Sequence, residues 1–274
     1  MIKLMKYEIR ETHKFMTGIL VLVLLLITGL HAAVGQDGSA SAFGSMFVLF
    51  SMLTFFGAGL AAFLYIVGSF KKELYEDRGY LTFTLPVTGY QILGAKLLVA
   101  VMWFILISFV TFFYLIFAAM AFGDPEINTW ELIKELFQLL PVKALAVDGI
   151  FSFISMINIL ILIYFSMAVG RMTFRNKKIG GIWFIIFLVL AGLFSFGRTE
   201  ISELLPYYLD LETFRILNLE GIAASNLQVH LDSGFALNVQ SEEVVNIASV
   251  FYTLITFVIL FFGTGYLIEK KIDL

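Results

Sequence analysis

The 274-residue chain has no cysteine, which excludes disulfides in any outer loop and any thiolate metal site. It has no Gly-Lys dipeptide, so it carries no phosphate-cradling Walker loop. Its three histidines, His13, His31 and His230, lack metal-ligand spacing, and no Gly-x-Ser-x-Gly elbow occurs. Neither catalysis nor a cofactor or metal is expected in this chain. Charge is scarce as well. Asp, Glu, Lys and Arg make up 14% of residues, against 60% hydrophobic residues and 30 Phe. Mean hydropathy is +0.93, far from soluble averages. No basic patch of the nucleic-acid type is present.

What charge there is avoids six long apolar runs: Phe15–Val34, Phe43–Phe70, Leu97–Phe122, Gly149–Gly170, Ile179–Gly197 and Ile247–Ile268. Each is near the roughly 20 residues needed to cross a bilayer. The expected fold is an all-α integral membrane protein of six spans, a single permease-like domain over residues 1–274. Outer segments would lie at 123–148 and 198–246.

Orientation follows from the signs. With both termini on one side, that side holds Lys3, Lys6, Arg10, Lys14, Lys71, Lys72, Arg78, Lys96, Arg171, Arg175, Lys177, Lys178, Lys270 and Lys271. The other holds only Lys134, Lys143, Arg198 and Arg215. The positive-inside rule then makes both ends cytoplasmic. The first run is too long for the apolar region of a cleaved signal peptide, and it is read as a retained span.

Three segments outside the runs carry pattern. In the leader, Ile2, Met5, Ile9 and Met16 recur at helical spacing beside a stripe of Lys3, Lys6, Arg10 and Lys14. That predicts an amphipathic N-terminal helix lying in the inner headgroup layer before the chain turns into the membrane. Between spans two and three, helix is expected to run past Phe70 to about Arg78 and end at Gly79. Pro86 blocks a simple continuation, and Thr88 with Gln91 has the form of a capping box opening the next helix. The result is a helix–turn–helix elbow with Glu73, Glu76, Asp77 and Arg78 at its tip. Tyr80, Leu81, Phe83 and Leu85 in the same turn either pack on the ends of the spans or meet another protein. On the outside, residues 128–141 predict an amphipathic helix. The acidic stretch from Arg198 to Asn246 reads either as a cap over an exit path or as a loop folded back on the membrane.

The residues Glu76-Asp77-Arg78-Gly79-Tyr80-Leu81-Thr82-Phe83-Thr84-Leu85-Pro86-Val87, followed by Gln91-Ile92-Leu93-Gly94-Ala95-Lys96, resemble the loop that type-2 ABC transporter permeases carry between spans two and three. The opening Met1–Arg10 is similar to the N-terminal helix of the same family, and the six-span layout matches over the whole length. The resemblance implies a permease subunit in a bacterial plasma membrane. It implies that Glu73, Glu76, Asp77, Arg78, Gly79, Leu85 and Pro86 couple to a separate cytoplasmic ABC ATPase, which would bind the ATP and Mg. A second permease copy or a sister permease would complete a dimer.

The spans contain no Asp, Glu, Lys or Arg, and His31 sits at an outer membrane edge as an interfacial residue, which argues against a proton- or sodium-coupled carrier. Ser152, Ser155 and Asn158 are candidate polar groups on a pathway. Gly57, Ala58, Gly59, Ala61 and Ala62 form a small-residue patch on which another helix can pack closely. No internal repeat is apparent, against folds of two inverted halves. The expected cargo is hydrophobic or amphipathic, a peptide or a lipid-like molecule moved outward. The alternative is a membrane scaffold, immunity or sensor-binding protein that transports nothing.

Overall fold

Apolar runs of this length become helices, because only a helix satisfies every backbone N–H and C=O within its own segment. The computed structural model describes residues 1–37, 42–75, 87–122, 142–173, 181–210, 214–218, 236–239 and 242–270. Six helices occur there: α1 (Ile2–Asp37), α2 (Ala42–Tyr75), α3 (Gly89–Phe122), α4 (Val142–Thr173), α5 (Ile182–Leu204) and α6 (Ile247–Lys270). Among the described residues, five helices are long and apolar enough to cross a membrane, on α1, α3, α4, α5 and α6. The chain is a multi-pass membrane protein. α5 shows why: it is strongly apolar yet has no buried residue, an arrangement that suits lipid and not water.

The chain divides into two compact units, Met1–Lys72 with Gly94–Gln138, and Glu73–Leu93 with Leu139–Leu274. In the first, Val23 and Ile27 of α1 pack with Ala58 of α2, and Ile19 and Tyr114 close over them. Phe15 stacks on Tyr65 at 4.0 Å between ring centres. Thr28 and Tyr114 share a hydroxyl hydrogen bond of 2.7 Å that ties α1 to α3.

The leader departs from the expected interfacial helix. It is not turned aside but is the first part of one unbroken 36-residue helix, about 54 Å long. Lys3, Lys6, Arg10 and Lys14 are exposed as the pattern predicts. Of the expected apolar stripe, Ile2 is exposed and Met5 and Ile9 are half-buried, while the face farther along the helix packs on protein. Thr12 and Met16 are buried, and Thr12 accepts a hydrogen bond from the Trp103 indole at 2.9 Å.

In the second unit, α4 packs against both α5 and α6, and those two touch each other. The expected all-α fold is corrected here, because an antiparallel four-stranded sheet stands between α5 and α6. Its strands are β1 (Tyr207–Asp210), β2 (Ile216–Asn218), β3 (Ala236–Val239) and β4 (Glu242–Asn246), in the order β2-β1-β4-β3. Tyr208 lies opposite Leu217 in β2 and Asn246 in β4. Buried Val245 rests against Val147 and Phe151 of α4 and Val250 of α6, so the sheet is seated on the helices. The fifth apolar run is also re-bounded. Helix starts after Gly181 and continues through Arg198, Thr199, Glu200 and Glu203 to Leu204, residues the sequence reading assigned to a loop.

Asn246 joins sheet to helix. Its side-chain oxygen accepts from the Ser249 N–H at 2.8 Å, the geometry of an N-cap. Its amide donates to the Leu205 carbonyl at 3.1 Å, holding the end of α5 beside the start of α6. At the start of α3, Thr88 Oγ1 accepts from the Gln91 N–H at 3.4 Å, so the Thr88 half of the capping box forms.

Candidate functional site

Two constellations stand out, one in each unit. In the first unit Lys96 is 4% exposed, about two turns into α3. Its ammonium lies 2.8 Å from a Glu8 carboxylate oxygen on α1 and 3.3 Å from the Ser69 hydroxyl on α2. One cation therefore clamps the three described helices of the unit. The sequence reading counted Lys96 only among the basic residues on the side of the termini and did not pair it with Glu8.

In the second unit a slot of about 370 Å³ opens between α4, α5 and α6. α4 contributes Ser155, Asn158, Ile159 and Leu162; α5 contributes Ala191, Phe194, Ser195 and Arg198; α6 contributes Tyr252, Thr253 and Thr256. Asn158 donates to the Thr253 carbonyl at 2.8 Å, which fixes the amide across the α4–α6 seam. Thr253 and Thr256 turn their hydroxyls onto carbonyls one turn back, at 2.9 and 2.7 Å, and so are satisfied in a dry setting. A Cβ at Gly197 would lie 2.6 Å from the Tyr252 hydroxyl, so the glycine is what lets Tyr252 pack beside Arg198.

Of the three polar residues singled out from sequence, Ser155 and Asn158 line this slot and Ser152 does not. Arg198 and Ser195 are the residues sequence reasoning missed. Arg198 ended the apolar run and looked like the first residue of a loop, whereas helix carries it onwards and turns it into the slot. Beyond it, a second and almost wholly apolar cleft lies under the sheet, lined by Ile201, Leu205, Tyr207, Ile247, Phe251 and Tyr252.

The expected coupling residues fare differently. Glu73 is buried, at 9% exposure, on the last turn of α2, and so is not at an exposed tip. Glu76, Asp77, Arg78, Gly79, Leu85 and Pro86 lie outside the described residues. Next to Glu73's turn, Tyr75 donates to the Met167 carbonyl at 3.1 Å, with Arg171 5.8 Å from its ring centre. Burial raises the Tyr75 phenol above its usual value and Arg171 opposes this, so it stays a neutral donor.

The small-residue patch of α2 is also redistributed. Ala58 and Ala62 are buried and Ala61 half-buried, but Gly57 and Gly59 are exposed, with nothing within 4 Å of a Cβ built on them. The close approach is elsewhere, where a Cβ on Gly89 would stand 2.7 Å from the Gly265 carbonyl oxygen and one on Gly265 would strike the Tyr90 ring.

Among the described residues no cluster of His, Asp or Glu could hold a metal ion. Compared with protein-family models, with curated proteins and with solved structures, the chain finds no match.

Proposed function

We propose that the chain is the transmembrane permease subunit of an ATP-driven exporter in a bacterial plasma membrane. It has six spans and cytoplasmic termini, works with a second permease, and moves a hydrophobic or amphipathic substrate outward. A separate cytoplasmic ABC ATPase supplies nucleotide and Mg chemistry. The observation that carries this reading is the segment between Tyr75 and Gly89. Its residues resemble a permease coupling loop, and it is bounded by two helices of 34 residues each. A rigid arm on either side is what a loop needs if it is to move helices when an ATPase pushes it. The slot supports the cargo class, since its polar groups are set in apolar walls.

The reading is tested by purifying the tagged chain from detergent-solubilised membranes and identifying what accompanies it. An ABC ATPase is expected, with turnover stimulated by the permease. Charge reversal at Glu76 and Asp77 together with Leu85→Asp is expected to weaken that association by about 2 kcal/mol, or roughly thirtyfold, if the loop is the contact. Glu73 is left intact because a reversal at a buried position would report on folding. Full biological activity from a chain that purifies alone would remove the exporter reading and leave the scaffold.

A further inference from the structure

We infer that the slot between α4, α5 and α6 seats an anionic phospholipid drawn from the surrounding bilayer. Its phosphate would lie at Arg198, and an acyl chain would follow Ile159, Leu162, Ala191 and Phe194. This rests on reading these helices as membrane spans and not on the exporter reading.

The argument starts from depth. The sheet marks one end of this bundle, beside the last turn of α5, the first turn of α6 and the Val147–Phe151 stretch of α4. Arg198 is six residues before the end of α5, about 9 Å along the axis from that end. In a helix of this length centred on the bilayer the Arg198 backbone lies about 7 Å inside the hydrocarbon, a depth from which a long Arg side chain reaches the headgroup border. Ser195, Tyr252 and Ser155 are at or near this level. Ala191 on α5 is two turns deeper, and Leu162 on α4 is likewise two turns beyond Ser155. Between these levels, Asn158, Thr253 and Thr256 have their polar groups bonded within the protein, and beyond them the slot is apolar at Leu162 and Ala191, so polarity falls towards its inner end as it does along a phospholipid.

Charge and shape select the headgroup. A guanidinium presents a planar fork of donors that matches a phosphate, and the pair is strong where water is scarce. A small soluble anion would have to be stripped of water against Ile159, Leu162, Ala191 and Phe194 with nothing apolar of its own to bury, which is costly. A phospholipid brings the hydrocarbon that such a wall takes. The flanking surfaces favour the same source: Leu188, Val189, Phe251 and Ile255 on α5 and α6 are exposed, so the slot is bordered by lipid-facing side chains. Its volume of about 370 Å³ lies at the lower end of ligand pockets, enough for a headgroup and the upper part of one chain.

The test uses the full chain in phosphatidylcholine nanodiscs carrying a trace of photoreactive phosphatidylglycerol, or of photoreactive phosphatidylcholine as control, with cross-links mapped by mass spectrometry. The anionic probe is expected to label the slot-lining stretches of α4, α5 and α6, and Arg198→Gln is expected to reduce this labelling roughly tenfold while sparing the zwitterionic probe. Because Arg198→Gln can disturb folding, Gly197→Ala is run beside it. That change pushes on the Tyr252 hydroxyl and keeps the charge, and it is also expected to reduce slot labelling. Thermal unfolding of each variant shows which one to read. Equal labelling by both lipids, or labelling unchanged in the variant that folds, overturns the inference. Competition by inorganic phosphate overturns it too, by assigning the slot to a soluble anion. No ATPase or nucleotide is present, so failure here leaves the exporter proposal standing, and failure of that proposal does not touch this result.

Discussion

At the scale of single residues, the Glu8–Lys96 pair is the most consequential contact. Taking two charges out of water is expensive, and their attraction recovers that cost only while both are present. Lys96 also reaches Ser69, so one ammonium serves three helices. Removing one partner strands the other in a dry seam. Lys96→Met or Glu8→Gln alone is expected to cost about 3–5 kcal/mol, whereas the double variant is expected to recover most of it. Thermal unfolding in a single detergent measures all three. Equal and additive losses in the singles and the double would show that the charges do not act as a pair. Tyr75 makes the complementary point: its neutral phenol is a donor held at a carbonyl, and no counter-charge is needed.

At the scale of elements, the close seams between helices are set by where glycine lets two backbones touch. The Gly89–Gly265 contact brings α3 and α6 to within reach of each other's backbone, and Tyr90 lies flat where a Gly265 side chain would be. A methyl group there meets backbone oxygen or an aromatic ring, neither of which yields readily. Gly89→Ala or Gly265→Ala is expected to destabilise by roughly 1–3 kcal/mol through overpacking. Gly57→Ala and Gly59→Ala, in open space, are expected to be neutral or stabilising by up to about 1 kcal/mol through helix propensity. Unfolding temperatures of the four variants check the contrast. A large loss at Gly57 or Gly59 would show that this face is packed after all, as it would be against another membrane protein.

At the scale of the whole molecule, the issue is which side of the membrane each end occupies. Charge asymmetry motivates the proposed orientation: fourteen of the 18 basic residues fall on the side assigned to the termini. The lack of cysteine makes the chain a ready background for labelling. Single cysteines at Asp37, Asn128 and Ser225 are expected to react with an impermeant maleimide in intact cells, and those at Asp77 and Asn176 only after the membrane is opened. A mid-span Lys or Arg costs about 2.5–3.5 kcal/mol on insertion scales, so swallowing the cluster of Arg171, Arg175, Lys177 and Lys178 is disfavoured. Labelling of Asp77 from outside would reverse the topology and with it the cytoplasmic site of any ATPase.

Helices and their approximate limits were legible in the sequence because hydropathy is a sum over many residues and tolerates local error. A cap was legible too where a short side chain acts on its own turn, as at Thr88; the cap at Asn246 was not read from the sequence. The sequence also pointed to Ser155 and Asn158 as polar groups worth notice. What tertiary structure alone decided is which residues from distant positions meet. Glu8 and Lys96 are 88 residues apart, and no local rule pairs them. Arg198 lies next to an apolar run, and only the continuation of α5 beyond Gly197 and the position of Tyr252 place it in a slot. The sheet escaped for a related reason: its strands are three to five residues long, and their stability comes from pairing across a stretch of nearly forty residues and from the helices beneath Val245. Composition and periodicity report what each segment needs, lipid or water. Which partner meets that need is settled only by packing in three dimensions.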